Sequence, residues 1–225
     1  MLLTRRRAVL AGLATLTGPA LAQEGWYPLK DGMGRDIQNF RVPVELQSEI
    51  MALDNAFTLG SADADITLIE VYDSNCSFCR RAADDVKAMT AADPDLAVSL
   101  INAPSLGLPS VQAARVEYAV KQLGGDAKVR EFHARSMKAR GVFDGLRALE
   151  LASDLGLDRK AVEEAADRPD IGQTIVQAVR LANATNLAAT PSWLIAGAAI
   201  IGWPGRAVME RIVKAVRDCD KPVCG

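Results

Sequence analysis

Residues 66–80 read ITLIEVYDSNCSFCR, a stretch in which an apolar run leads directly into two cysteines. The β-branched and apolar residues at its start lack clean alternation, which is typical of a parallel strand covered on both faces. Over residues 76–89 the apolar side chains recur at helical spacing, and Asn75 stands where an N-cap would stand. LAVSLI, residues 96–101, reads as a second strand. The order strand, helix, strand predicts a crossover unit of a parallel sheet.

The two cysteines of this stretch, Cys76 and Cys79, lie on one face at the start of the predicted helix, within the distance that a disulfide spans. The alternatives for the pair are a metal site, a structural staple and a pair that exchanges electrons. The positive end of the helix dipole and the unpaired N–H groups there stabilise a thiolate at Cys76, and Arg80 adds a cation. Because Cys79 lies deeper in the helix, we predict that Cys76 attacks a substrate sulfur and that Cys79 resolves the intermediate.

Glu70 lies six residues before Cys76, near the end of the apolar strand. A carboxylate at such a position is costly unless its pKa rises or it gains a partner. A raised pKa would suit Glu70 to moving a proton to or from Cys79. The alternative is a residue at the end of the sheet that faces water.

The first 22 residues have the order of a secretory signal peptide: three arginines, an apolar run and the small-x-small cleavage site ALA at residues 20–22. We therefore predict export by the general secretory or the twin-arginine route to the periplasm, where disulfides persist. The mature chain would begin at Gln23, with a mobile Gly-rich leader over residues 23–36. A helix is predicted over residues 43–57, and it either packs on the domain or mediates self-association into an oligomer.

Helical patterns dominate the region from Ser110 to Leu187, and breaks at Gly124-Gly125, at Gly141 and near Pro169 divide it. The candidate helices span residues 110–123, 126–139, 144–155, 159–167 and 171–185. Strand patterns return at residues 192–196 and 198–201, which read as a hairpin around Gly197, and a last helix starts at Pro204.

These patterns predict six segments along the chain. They are a signal peptide (1–22), an N-terminal leader and helix (23–60), the first part of an α/β fold (61–103), a helical insertion (104–188), the second part of the α/β fold (189–218) and a C-terminal tail (219–225).

Charge and histidine content exclude two classes of function. The formal net charge is −2 without a basic excess, so nucleic acid is not a predicted partner. His133 is the only histidine, which excludes a histidine-rich zinc site. No cofactor and no metal are predicted. A competing hypothesis is that Cys76 and Cys79 bind Cu(I) as two soft ligands, as in a copper-tolerance protein of the cell envelope.

Cys219 and Cys224 close the short loop CDKPVC after the last predicted helix. No helix N-terminus is available there to activate either thiol. A structural disulfide that fastens the C-terminus is therefore predicted, and a second redox pair is the alternative.

Thr190-Pro191 precedes the strand SWLIA. An X-Pro bond is the setting in which a cis peptide is accessible, and a proline before a strand could leave the Thr190 backbone free to pair with an incoming extended chain.

Taken together, these features resemble the DsbA-like family of thioredoxin-fold disulfide oxidoreductases over about residues 60–218. The resemblance is carried by Glu70, by CSFC at 76–79, by KVREFHARSMKARG (128–141) and LASDLGLD (151–158) in the insertion, and by ATPS at 189–192. It implies an α/β thioredoxin fold with an inserted helical subdomain. It also implies that Pro191 is cis and lies beside the cysteine pair.

The activity implied by the resemblance is that of a thiol:disulfide oxidoreductase acting on exported proteins that contain cysteines. A membrane or soluble redox partner would reset the pair. Ser77-Phe78 stands between the cysteines where the prototype oxidase has Pro-His, so we expect a less stabilised thiolate and a less oxidising disulfide. Thr190 is more similar to the isomerase and reductase relatives and to the copper-tolerance relatives called ScsC. The oxidase, reductase and isomerase directions all stay open.

Overall fold

Strand β3 (Ile66–Tyr72) runs through the middle of the structure, a computed structural model that describes residues 26–225. Successive side chains of β3 enter two different cores: Leu68 and Tyr72 lie in the larger one, and Ile69 and Val71 lie in the smaller one. The predicted strand with both faces covered is thereby confirmed. The predicted signal peptide and the predicted start of the mature chain lie outside the described residues.

The other elements lie on both sides of β3 in the chain. In chain order they are β1 (Asn39–Arg41), α1 (Val44–Met51), β2 (Phe57–Gly60), α2 (Ser77–Ala92), β4 (Leu96–Asn102), α3 (Leu108–Ser136), α4 (Gly145–Asp154), α5 (Arg159–Ala166), α6 (Pro169–Ala184), β5 (Ser192–Ile195), β6 (Ala198–Ile201) and α7 (Arg206–Cys219).

The strands form one sheet in the order β1-β6-β5-β3-β4-β2. β3 and β4 are parallel, and the other neighbouring pairs are antiparallel. The predicted strand-helix-strand unit is confirmed, because α2 connects the parallel neighbours β3 and β4. β5 and β6 form the predicted hairpin, with Gly197 at a φ of +74° in the turn that joins them.

Helices α3 to α6 form a helical subdomain between β4 and β5, which confirms the predicted class of an α/β fold with an inserted helical subdomain. The predicted break at Gly124-Gly125 is a kink, since Gly125 has a φ of +71° and divides α3 into two helical stretches. Although α3 spans 29 residues, neither it nor any other helix within residues 26–225 is long and apolar enough to cross a membrane.

The N-terminal leader is ordered where the structure describes it, so the prediction of a mobile segment is wrong for residues 26–36. Leu29 packs in the larger core, and Lys30 bridges to Asp36. Between them, the Asp31 carboxylate accepts hydrogen bonds from the backbone N–H groups of Met33 and Arg35. The turn residues that suggested mobility instead form a closed turn, which leads into β1 at the edge of the sheet.

The helix predicted over residues 43–57 is shorter in the structure. α1 ends at Met51, and Phe57 begins β2, where it pairs with Leu100 of β4 and is buried. Pairing and core burial outweigh the helical spacing of the apolar residues here. α1 packs against α6 through the fully buried Ile50, which supports the packing role. Self-association through residues 43–57 stays a prediction.

Replacing Ile37 by Ala is expected to lower the free energy of unfolding by about 2–5 kcal/mol, the usual cost of emptying a buried aliphatic site. Ile37 is 7% exposed, although it directly follows the predicted leader. Met33→Ala is the matched control: its side chain is 72% exposed in the same turn, so a change within about 0.5 kcal/mol is expected. Denaturant unfolding measures both values, and equal effects of the two substitutions would show that the segment is not docked.

Candidate redox site

Cys76 is the N-cap of α2, directly after the carboxyl end of β3. Its backbone is extended, and its Sγ accepts a hydrogen bond from the backbone N–H of Cys79 at 3.3 Å. The sulfur thus takes the position of the oxygen at an ordinary N-cap. The prediction that Asn75 caps the helix is wrong, because its amide donates to the Phe143 carbonyl and to Ser110 Oγ in the helical subdomain.

The surroundings of Cys76 favour its thiolate. The pKa of the Cys76 thiol is lowered to about 6, chiefly by a hydrogen bond from the Cys79 thiol. Hydrogen bonds from the Thr190 side chain and from the backbone N–H groups of Cys79 and Phe78 also lower this pKa, whereas burial raises it. Most of the Cys76 sulfur is therefore ionised at neutral pH, unlike an ordinary thiol with a pKa of about 8.5.

Cys79 has the opposite character. It is 1% exposed, and burial, the hydrogen bond to Cys76 and the charge of Glu70 raise the pKa of its thiol. The pair is in the dithiol form in this structure. A charged sulfur at the helix start thus lies beside a protonated, enclosed one, which is the asymmetry that an attacking and a resolving cysteine need.

Arg80 contacts the loop before α2. Its guanidinium donates to the carbonyls of Ser74 and Gly141, at 2.9 Å and 3.0 Å. The positive charge of Arg80 and a negative charge on either cysteine sulfur stabilise each other, as the sequence suggested. However, the larger contributions to the low pKa of Cys76 come from hydrogen bonds to its sulfur.

Glu70 is buried in β3, so the alternative of a water-facing residue at the end of the sheet is wrong. It is 3% exposed and lies opposite Leu100 of β4 and Trp193 of β5. Burial, and then the negative charge of Cys76, raise the pKa of Glu70 well above its ordinary value. The structure therefore brings Glu70 close to both sulfurs.

Thr190 and Pro191 face Cys76 from the start of β5. The peptide bond between them is cis, and the Cys76 thiol donates to the Thr190 carbonyl at an S···O distance of 3.1 Å. Residues 114 positions apart in the chain are thereby in contact. Thr190 is half-buried and lies two residues before the start of β5.

A groove of about 540 Å³ lies next to this contact. Phe78, Thr190 and Pro191 line the side near Cys76, and Trp203 and the turn at Asp31 line other parts of it. Cys76 itself is only 5% exposed, and Thr190, which its sulfur contacts, lines the groove.

Cys219 and Cys224 are joined by a disulfide, with their Cα atoms 6.0 Å apart. The bond links the last residue of α7 to the C-terminal tail. Both residues therefore lie at the C-terminal end of a helix, where the dipole disfavours a thiolate.

Asp73 is a site residue that sequence reasoning missed. Its buried carboxylate accepts hydrogen bonds from the backbone N–H groups of Ser105 and Leu106, at 2.8 Å and 3.0 Å, and from Ser110 Oγ at 2.8 Å. An Asp at the end of a strand and directly before a C-x-x-C loop was the available signal. Asp73 fixes the cysteine loop to the start of the helical subdomain.

Exposed apolar side chains lie at the start of α2 and on the loops and first helical residues of the subdomain that contact this part of the chain. They are Phe78, Leu106, Leu108, Val142 and Leu146. The backbone N–H of Leu106 donates to Asp73. Val142 lies between Gly141, whose carbonyl accepts from Arg80, and Phe143, whose backbone N–H donates to Asn75. The cysteine pair is thus bordered by an apolar surface.

No group of three or more metal-ligating side chains occurs within residues 26–225. Cys76 and Cys79 therefore lack a third protein ligand there, which does not favour the copper hypothesis. His133, the only histidine, is buried against the rings of Phe57 and Tyr72, and burial lowers its pKa to about 3.

Comparison with protein families gives a match to the DSBA-like thioredoxin domain over residues 100–217, more than half of the chain. The resemblance inferred from the sequence, including the thioredoxin fold, is therefore confirmed. No curated protein matches the chain significantly.

Solved structures give the same fold. A thioredoxin-like oxidoreductase from Silicibacter pomeroyi DSS-3 is 29% identical with a TM-score of 0.70, and the match covers 77% of this chain and 98% of that one. The catalytic domain of Proteus mirabilis ScsC is 23% identical with a TM-score of 0.66, covering 75% and 94%. The thiol-disulfide exchange protein alpha-DsbA2 from Wolbachia pipientis is 20% identical with a TM-score of 0.66, covering 76% and 92%.

The alkylation rate of Cys76 is expected to rise with pH and to reach half its maximum near pH 6, as its pKa requires. In Cys79→Ala the midpoint should move to higher pH, because the largest contribution to the low pKa is removed. Ser77→Ala, an exposed substitution between the cysteines, is the control and should keep the midpoint near 6. Mass spectrometry of iodoacetamide-treated protein identifies the modified residue. The same midpoint in Cys79→Ala and in the unaltered protein would contradict this account.

Proposed function

The chain belongs to the DSBA-like thioredoxin domain family, and we propose that it catalyses thiol-disulfide exchange on cysteines of exported proteins through Cys76 and Cys79. The observation that carries the proposal is the contrast between the two sulfurs. The pKa of Cys76, at the N-cap of α2, is lowered to about 6, whereas the pKa of Cys79, beside it, is raised.

The exchange begins when the Cys76 thiolate attacks one sulfur of a substrate disulfide. The substrate S–S bond breaks, a mixed disulfide forms, and the other substrate sulfur leaves as a thiolate that takes up a proton. Cys79 then loses its proton and attacks the Cys76 sulfur. This second attack releases the substrate as a dithiol and leaves Cys76 and Cys79 joined, so that two electrons have passed to the substrate. Oxidation of a substrate dithiol runs through the same steps in reverse.

Glu70 is proposed to accept and return the Cys79 proton. Its charge acts on Cys79, and its raised pKa makes its carboxylate a stronger base than an exposed one. Proton transfer at Glu70 would therefore accompany each opening and closing of the cysteine pair.

Thr190 and Pro191 are proposed to position the substrate. When Cys76 is a thiolate, the Thr190 carbonyl loses the thiol that donates to it, so this carbonyl becomes free to accept from an extended substrate backbone. The groove beside it and the exposed apolar side chains around the cysteine loop favour unfolded chains, which expose both cysteines and apolar residues.

We propose the periplasm as the site of action. The arginines, apolar run and cleavage motif of residues 1–22 support export. A similar structure is described as a periplasmic thioredoxin-like protein from Salmonella enterica serovar Typhimurium, at 21% identity. A membrane or soluble redox partner would reset the cysteine pair after each cycle, and the Cys219–Cys224 disulfide would have a structural role only.

Cys76→Ala is expected to abolish both insulin reduction and oxidation of a dithiol peptide, since no attacking sulfur remains. Cys79→Ala should accumulate mixed disulfides with substrate, visible as higher-mass species without reductant, because the resolving thiol is missing. The double substitution Cys219→Ser and Cys224→Ser is the control and should retain exchange. Activity retained in Cys76→Ala would refute the assignment of the attacking sulfur.

Leu108→Ser is expected to raise the KM for an unfolded, cysteine-containing protein about 3- to 10-fold with little change in kcat, because one apolar contact is lost. Val176→Ser is the matched control: its side chain is equally exposed, at 68%, but lies on α6, which packs on the other face of the sheet. A small aromatic disulfide should react equally with all three proteins. Equal KM values for the unfolded protein would exclude Leu108 from the substrate surface.

A further inference from the structure

A buried carboxyl group lies in the core below the cysteine loop and has no role in the exchange reaction described above. Glu117 of α3 is completely buried, and its Oε1 accepts a hydrogen bond from the hydroxyl of Tyr72, the last residue of β3. Its other oxygen, Oε2, has no hydrogen-bond partner within residues 26–225. An unpaired carboxylate oxygen in a core is costly, so its state needs a physical explanation.

Asn102 presents a second unpaired acceptor beside it. This residue ends β4 opposite Tyr72, and its side chain lies close enough to Glu117 that a hydrogen bond from the amide favours the ionised carboxyl group and lowers its pKa. The Asn102 amide donates from Nδ2 to Ser74 Oγ at 3.3 Å, while its Oδ1 has no partner in the described chain. Glu117 Oε2 and Asn102 Oδ1 thus both lack a hydrogen-bond partner among the described residues, and a proton on Oε2 that is donated to Oδ1 would satisfy both.

Among residues 26–225, the groups around Glu117 supply no cation that would hold it ionised. The titratable neighbours are Glu70 and Tyr72 on β3, Asp73 after it, and Tyr118 and His133 on α3. His133 is neutral because burial lowers its pKa to about 3. Lys121 lies one turn further along α3, but its ammonium binds the carbonyls of Asp54 and Ala56. Burial accordingly raises the pKa of Glu117 to about 7.

We propose that Glu117 is a positioning residue for the cysteine loop: in its protonated form, Oε2 donates a hydrogen bond to Asn102 Oδ1. The chain of hydrogen bonds then runs from Glu117 to Asn102 and from Asn102 to Ser74. When the proton leaves to water, the ionised Oε2 needs a donor, and the Asn102 amide turns over so that Nδ2 faces Glu117. Ser74 Oγ then donates to Asn102 Oδ1, so one proton reverses the direction of both hydrogen bonds.

The Asn102 amide is linked to the redox site through Ser74, which lies two residues before Cys76. The Ser74 carbonyl also binds the Arg80 guanidinium. A change of Ser74 Oγ from acceptor to donor therefore alters a hydrogen bond of the loop that positions the attacking sulfur. This consequence for Cys76 rests on the proposed function, whereas the proton on Glu117 and the turn of the Asn102 amide do not.

The test follows the side-chain amide signals of Asn102 by ¹H–¹⁵N NMR while the pH is raised from about 5 to 9. In the unaltered protein these signals should move with a midpoint near pH 7, the pKa of Glu117. In Glu117→Gln they should not move, because the new amide permanently supplies the donor that the acid supplies only when protonated. Glu131→Gln, an exposed substitution on the same helix, is the control and should keep the midpoint. Static Asn102 signals in the unaltered protein, or an unchanged midpoint in Glu117→Gln, would overturn the proposal.

Two further variants make the test independent of the folding of Glu117→Gln and of the exchange activity. Tyr72→Phe removes a hydrogen bond that lowers the pKa of Glu117, so the Asn102 midpoint should move to higher pH. An unmoved midpoint would count against the proposal. Cys76→Ala, which lacks the attacking sulfur, should keep the Asn102 titration. The alkylation rate of Cys76 should show a second inflection near pH 7 that is absent in Glu117→Gln, and a profile identical in both proteins would remove the link to the cysteine loop.

Discussion

The hydrogen bonds that converge on Cys76 Sγ are the interaction on which the rest of the site depends. A sulfur at an N-cap is a weak partner for the first N–H groups of a helix until it becomes negative. The capping requirement of α2 and the ionisation of Cys76 therefore support each other. Cys79 supplies both a backbone N–H and a thiol to the same sulfur, which requires a spacing of three residues and the geometry of a helix start. The side chains of Ser77 and Phe78 are both exposed, so this geometry imposes no packing requirement on the residues between the two cysteines.

The helical subdomain is part of this site because the residues before Cys76 bind it directly. Asp73 forms hydrogen bonds with the loop before α3. Asn75, and Arg80 after the cysteine pair, form hydrogen bonds with the loop between α3 and α4. These bonds fix the cysteine loop from the side, while β3 fixes it from below. They also hold the exposed apolar side chains of the subdomain next to the cysteines. The contacts that hold the cysteine loop in place thus also place apolar side chains beside the redox site, where an incoming chain would bind.

Two buried carboxyl groups make the core below the site sensitive to protons. Glu70 lies near the sulfurs and Glu117 lies further in, and burial raises the pKa of both. An ionised carboxylate in a core costs stability, so each group favours its protonated form there. A core filled with aliphatic side chains would avoid this cost, but it would offer no base for the proposed proton transfer from Cys79 and no proton for the proposed hydrogen bond to Asn102. Under both proposals, Glu70 and Glu117 lower the stability of the core and in return take part in the chemistry of the site.

The sequence by itself determined the elements whose periodicity is strong and local. These are the buried strand β3, the cysteine helix, the β5–β6 hairpin and the kink at Gly125, all of which follow from side-chain spacing and glycine geometry. Only the tertiary structure decided that Phe57 belongs to a strand, that Leu29 anchors the N-terminal turn and that Cys76 rather than Asn75 caps α2. The family resemblance already implied that Pro191 lies beside the cysteine pair, but only the tertiary structure showed the hydrogen bond between Cys76 Sγ and the Thr190 carbonyl and the one between Tyr72 and Glu117. Such contacts join residues far apart in the chain, and their energies depend on burial and on partners that no local pattern specifies.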